Sequence, residues 1–364
     1  MELIHAETTP EAAFTVESFG MGPYMEYRIP GIIVTEKGTI ICCYEGRMDT
    51  HNDWAQIDIV VCRSSDGGEH FARQVIASTD EAADDFGKRE PVTWNNPVLI
   101  RDGELVHLVF HRNYETAYHC VSRDDGMTFS EPVEITAAFQ EFPWEWNVCA
   151  SGPGHGLVTK RGRLVIPIWL ACGKALDETG RKKAHQPSTA GAIYSDDRGE
   201  TWHAGPLVDG IVSANETAAV ERSDGTVLFN FRNKEPDGCR AFGISRDGTG
   251  EFERIWREPG LPDPECFGSM ERLDEGRIGF VNCANRERNH PLGERLFLTV
   301  SVSGDDGESW KPSVLVDIYG GYADMAVDGD RLYVFYEQST WNEKLKRVNH
   351  LMLKQFRLER REDL

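Results

Sequence analysis

Apolar residues along this chain fall in short runs, each cut off by glycine, aspartate or asparagine. GTIICCYEG at 38–46, IDIVVCRS at 57–64, GRLVIPIWL at 162–170 and GTVLFNFRN at 225–233 are examples. NPVLIRDGELVHLVFHRN at 96–113, GRIGFVNC at 276–283, LFLTVSVS at 296–303 and DRLYVFYEQ at 330–338 continue the series. These runs are rich in the β-branched and aromatic residues that pack on a pleated surface, and they predict strands. Strong amphipathic helical periodicity is scarce. The polar stretches 79–93 and 172–190 read as long loops.

Between the runs one short pattern recurs: Ser-x-Asp-x-Gly-x-x-aromatic. It reads SSDGGEHF at 64–71, SRDDGMTF at 122–129, SDDRGETW at 195–202 and SGDDGESW at 303–310, with a degenerate copy, SRDGTGEF, at 245–252. Aspartate and glycine suit a tight turn in which the carboxylate accepts nearby backbone N–H groups. The aromatic residue then starts the next strand and packs inward. Each copy is therefore a hairpin turn. A unit of about sixty residues fits six times into this length, and four-stranded antiparallel units arranged radially make a β-propeller. The fold read from the sequence is all-β: one six-bladed β-propeller spanning residues 1–364.

Composition narrows the partners. Of 364 residues, 40% are hydrophobic and 27% charged, as in ordinary globular proteins. The net charge of −21 repels nucleic acid and anionic membranes, so neither is expected as a partner. An anionic small molecule could bind only through a local concentration of arginine. No run of about eighteen apolar residues occurs, and the first residues, MELIHAETTP, have neither a basic nor an apolar leader region, so a cytoplasmic location is expected. The nine cysteines form no CxxC pair, which argues against zinc and for buried reduced thiols. No metal or cofactor is expected.

The Arg-Ile-Pro element at 28–30, followed by the repeated aspartate turns, resembles the sialidase (neuraminidase) family of glycoside hydrolases. The resemblance covers nearly the whole chain. It implies a six-bladed propeller with its site on the central axis, a substrate bearing a sialic acid or related acidic sugar, and three arginines that clamp the sugar's carboxylate. A guanidinium suits that task because its planar fork donates two parallel hydrogen bonds to a carboxylate. Arg28 matches the first of the three and Arg232, in NFRN at 230–233, the second. For the third the resemblance favours Arg295, in GERLFLTV, with Arg286 and Arg288 as alternatives. On this reading Arg28 has no partner in its own protein and awaits the ligand.

The family's nucleophile is a tyrosine, where most glycosidases use a carboxylate. A neutral phenol is not repelled by the carboxylate that sialic acid carries on its anomeric carbon, but with a pKa near 10 it needs a base beside it. The resemblance places the nucleophile at Tyr322 in GGYAD, with Tyr319 as competitor. It places the base at Glu216 in SANETAAVE, ahead of Glu221. The acid/base is assigned to Asp53 in NDWAQIDI, with Asp49 as alternative and Asp58 left to the strand. Arg47, ending YEGR, matches a further substrate-binding arginine, and Glu45 is placed to orient an arginine. His155 and Trp146 are read either as rim residues or as packing residues, and Asn95 or Asn96 as possible ligand-facing groups.

Overall fold

In the computed structural model every one of the short apolar runs forms a β-strand. The structure describes residues 9–49, 52–78, 92–174, 184–287, 290, 293–342 and 346–358. Antiparallel pairing gathers the strands into six sheets, each built on a core of four strands, as in a six-bladed propeller, and the two-residue strand Gly154–His155 adds a parallel pairing to Trp94–Asp102. Blade one holds Glu26–Val34, Ile40–Arg47, Ile57–Ser64 and Ala72–Ala77. Blades two and three follow from Trp94 to Leu207, blade four spans Thr217–Glu221 to Phe252–Pro262, and blade five spans Ser269–Asp274 to Lys311–Tyr319.

Blade six was only half legible. Ala323–Asp328, Arg331–Asn342 and Lys346–Arg357 form three of its strands, and the fourth is Ala12–Glu17 from near the start of the chain. That strand pairs Ala12 with Gln355 and Phe14 with Leu353, so the two ends of the chain share one sheet. Its alternation, with Phe14 packed on the core beside buried Val16, is short enough to pass as a polar segment. One short helix, Thr136–Gln140, follows the outer strand of blade two.

The recurring turns take the geometry their residues suggest. Ser64 Oγ donates to Asp66 Oδ1 (2.7 Å), Gly68 N donates to Ser64 Oγ (2.9 Å), and His70 N donates to Asp66 Oδ1 (3.0 Å). The copies at 122, 195 and 303 repeat these bonds. The degenerate copy does not: Ser245 Oγ donates to Gly250 O, and Asp247 accepts from Thr249 through Oδ1 and pairs with Arg163 through Oδ2. In these turns glycine is needed for its backbone. Gly199 has φ +90°, and a Cβ there lies 2.8 Å from the His119 ring.

Most residues of the inner and second strands are buried on both faces because neighbouring blades cover both. All of Ile40–Arg47 is buried, including Glu45 and Arg47. The inner strands all run the same way along the axis. Arg28 is the third residue of the inner strand of blade one, while Glu216 and Tyr322 immediately precede those of blades four and six. At the opposite end these strands finish around a cavity of about 530 Å³ lined by Val34, Val220 and Val327.

Candidate active site

The start of the inner strands brings Tyr322 and Glu216 together although 106 residues separate them. Tyr322 OH donates to Glu216 Oε1 at 2.5 Å. The other oxygen of Glu216 accepts from Arg232 Nη1, which also reaches Tyr322 OH at 2.6 Å. Three guanidinium groups surround the same phenol ring: Arg295 at 4.9 Å from its centroid, Arg28 at 5.2 Å and Arg232 at 5.9 Å. Burial pushes the Tyr322 phenol up, aided by the Glu216 charge, while the arginines pull it down without cancelling the rise. The resting phenol is therefore neutral, with its proton already directed at a carboxylate.

Arg28 departs from the sequence reading. It is paired within its own protein: Nε and Nη2 reach the two oxygens of Glu337 at 3.1 and 3.2 Å. Glu337 is fully buried and also accepts the backbone N–H groups of Ile29 (3.1 Å) and Tyr322 (3.2 Å). The physical reason is the one that made Arg28 conspicuous, since a guanidinium 12% exposed at a strand start needs a counter-charge. Burial raises the Glu337 carboxyl, but the Arg28 and Arg295 charges outweigh it and hold it below its ordinary range. Glu337 was missed as a site residue. The signal was the Glu that directly follows the apolar run LYVFY at 332–336.

Arg295 forms no ion pair with any described residue, although it is half-buried beside Tyr322. Of its alternatives, Arg286 lies away from the ring and donates to Pro259 O (2.7 Å), and Arg288 lies outside the described residues. Tyr319 is 40% exposed at the end of its strand. Glu221 accepts from the backbone of Lys160 at the far end of the strand that Glu216 precedes.

A second cluster faces the first. Arg47 is buried and bound by Glu45 through Nε (2.9 Å) and Nη2 (2.6 Å), while its Nη1 reaches Asp53 at 2.8 Å. Glu45 also accepts Asn96 N (3.0 Å), so Asn96 acts behind Glu45. Its side chain and that of Asn95 are turned to protein atoms. The Asp53 side chain is 42% exposed, the most open of the charged groups here. Burial tends to raise its carboxyl, yet the charges of Arg47, Arg28 and His185 hold it far below the usual range. Asp49 is exposed, and buried Asp58 accepts from Tyr24 OH (2.9 Å).

His155 and Trp146 are packing residues. His155 donates to buried Asp324 (2.8 Å) and lines the cavity at the other end of the axis, and Trp146 Nε1 donates to Phe139 O. One wall of the site was not foreseen. Trp54, Tyr114, Trp169 and His185 pack ring on ring beside Asp53, at centroid distances from 4.5 to 6.1 Å. Each comes from a different run of sequence, so no local pattern announces them.

Taken together, the site offers a phenol bound to a base, a solvent-reaching carboxylate, and a guanidinium with no ion pair among the described residues, in a protein of strong negative charge. That set can bind a small carboxylate and carry out nucleophilic and acid–base chemistry beside it. The nine cysteines are all free, eight of them buried.

Comparison with known proteins bears on the fold and the family. Residues 38–334 match the BNR repeat-like domain family. The chain is 27% identical over 325 residues to a sialidase of Micromonospora viridifaciens, covering 81% of this chain and 46% of that protein. It is 26% identical over 361 residues to an exo-alpha-sialidase of Arthroderma benhamiae, covering 89% of this chain and 80% of that one. The chain thus spans about half the length of the first relative and most of the second. Among solved structures it superposes on the Hadza microbial sialidase Hz136 with a TM-score of 0.75 at 22% identity, covering 95% of this chain and 68% of the other. Trypanosoma rangeli sialidase superposes with a TM-score of 0.68 at 20% identity, covering 91% and 55%. The chain belongs to the BNR-repeat propellers of the sialidase family.

Proposed function

We propose that this protein is a retaining exo-α-sialidase that removes terminal sialic acid, or a closely related acidic nine-carbon sugar, from glycoconjugates or oligosaccharides. The observation that carries the reading is the 2.5 Å bond from Tyr322 OH to Glu216 inside a ring of three guanidinium groups. A phenol whose pKa burial has raised is useless as a nucleophile unless its proton leaves as it attacks, and Glu216 stands where that proton goes.

In this mechanism the substrate carboxylate lies against Arg28, Arg232 and Arg295. Arg295, which has no ion-pair partner among the described residues, receives it without giving up an existing bond. Tyr322 Oη attacks the anomeric carbon and passes its proton to Glu216. Asp53 protonates the departing glycosidic oxygen, then takes a proton from the water that releases the sugar. Two displacements give net retention. Asp53 must carry a proton to begin, yet its arginine neighbours favour the ionised form in the free protein. The incoming carboxylate offsets those positive charges, and the aglycone displaces water from the carboxyl, both of which raise its proton affinity. No metal or cofactor enters the scheme.

The test is release of 4-methylumbelliferone from its α-sialoside by the protein and by Tyr322→Phe. Activity in the first and at least a thousandfold loss in the second is the expected result, since removing a nucleophile costs on the order of that factor or more. A folded protein inactive on this substrate and on its deaminated analogue overturns the reading.

A further inference from the structure

Asp53 sits near the tip of a short turn, and little of its own chemistry fixes it there. The turn is pinned at its base, where Thr93 Oγ1 donates to Ala55 O (2.6 Å) and Met48 N to Gln56 O (3.0 Å). At the tip, Trp54 N donates to Asn52 Oδ1 (3.0 Å), a bond within the turn itself. Among the described residues the side chain of Asp53 has one charged tether, Arg47, and that tether favours the ionised carboxylate, which cannot donate a proton.

The next residue supplies what the turn lacks. The ring of Trp54 lies 4.5 Å from that of Tyr114 and 5.2 Å from that of His185. Both partners are held in turn. Tyr114 is 3% exposed and packs at 6.1 Å on Trp169, which is itself 3% exposed and 5.2 Å from His185. Tyr114 follows the second strand of blade two, and Trp169 lies within Leu164–Ala171 of blade three. One side chain on the blade-one turn is thereby clasped by two further blades.

We propose that Trp54 is a positioning residue for the general acid: its ring, docked on Tyr114 and His185, sets the height and direction from which Asp53 reaches the glycosidic oxygen. This rests on the sialidase reading above. Misplacing a proton donor by about 1 Å can cost on the order of a hundredfold in rate. The contribution of a placed general acid is roughly 10²–10⁴-fold. Its loss falls on substrates whose leaving group needs a proton, and spares those whose leaving group departs as a stable phenolate. A residue that merely bound the sugar, or merely supported the fold, makes no such distinction.

The experiment compares wild type, Trp54→Ala and Trp54→Phe on two substrates, 3′-sialyllactose and the 4-methylumbelliferyl α-sialoside. Trp54→Ala is expected to lose about a hundredfold in kcat/KM on sialyllactose and under about fivefold on the aryl sialoside, with Trp54→Phe recovering most of the loss. An equal loss on both substrates, or none on sialyllactose, overturns the proposal. Amide hydrogen exchange of the 52–57 segment gives an arm that needs no activity. Trp54→Ala should exchange there roughly tenfold faster, with the blades unchanged. Unchanged exchange overturns the clasp. If the wild type cleaves neither substrate, the sialidase reading fails while the exchange result still decides whether the ring holds the turn.

Discussion

Replacing Glu337 with glutamine removes one charge from the centre of the propeller and changes almost no volume. The wild-type carboxylate accepts four hydrogen bonds, two from Arg28 and one each from the backbones of Ile29 and Tyr322. In the variant an NH₂ group faces one of those donors, and Arg28 keeps its charge with no counter-ion in contact. Breaking a buried ion pair by removing one partner costs about 3–5 kcal/mol, and the slight exposure of Arg28, 12%, argues for the lower part of that range. With about 2.1 cal/mol/K of unfolding entropy per residue, a chain of 364 residues loses roughly 4–5 °C in Tm for 3–4 kcal/mol. Differential scanning calorimetry at pH 7 measures it. The sign of the pH dependence follows from the depressed Glu337 carboxyl. The folded state binds fewer protons there, so the stabilisation is present above the unfolded value of about 4.5 and is lost as pH falls through the folded value. The gap between wild type and variant should therefore narrow below about pH 4.5. A Tm change under about 1 °C at neutral pH refutes the view that Glu337 is the counter-charge of Arg28. Because Arg28 also loses its orientation, KM for a sialoside should rise at least about tenfold.

Three other outcomes follow from the same geometry. The Asp324 and Glu271 charges push His155 up to about 9 against the lowering effect of burial. The folded state then binds more protons, so about 3 kcal/mol of stability is fully present below pH 6.5 and lost as pH rises towards 9. Denaturant unfolding across that window should show the fall in wild type and a flat profile in His155→Gln. Burial lowers the His119 imidazole to about 4, helped by His107, so protonation of the unfolded chain should destabilise the protein as pH falls from 6.5 towards 4; a stability flat across that interval contradicts this. Gly199→Ala forces a Cβ to 2.8 Å from the His119 ring at φ +90°, and should lower Tm by about 2–3 °C, for a cost of roughly 2 kcal/mol.

What the sequence revealed and what it hid divide along a physical line. The strands and turns were legible because their signals are local. Alternating β-branched residues and an aspartate two places after a serine need no distant partner to be read. Arg28, Glu216, Tyr322 and Arg232 could be named from family-like segments, and the fold then placed their side chains around one phenol. Glu337 escaped because its role exists only across blades one and six, 309 residues from Arg28. The Ala12–Glu17 strand escaped for the same reason, its partner lying at the other end of the chain. Trp54 was visible as part of the segment around Asp53, but the rings of Tyr114, Trp169 and His185 that clasp it share no spacing with it.

In the proposed mechanism Tyr322 Oη bonds covalently to the anomeric carbon of the sugar. The most direct test is incubation with a 2,3-difluorinated sialic acid, in which fluoride departs from the anomeric carbon as the first bond forms while the C3 fluorine slows hydrolysis of the intermediate so that it accumulates, followed by mass spectrometry of the protein and its peptides. The account predicts one added sugar, on the peptide containing Tyr322, and none in Tyr322→Phe. A label on Glu216 or Asp53, or a wild-type reaction whose first product has the inverted anomeric configuration, contradicts it.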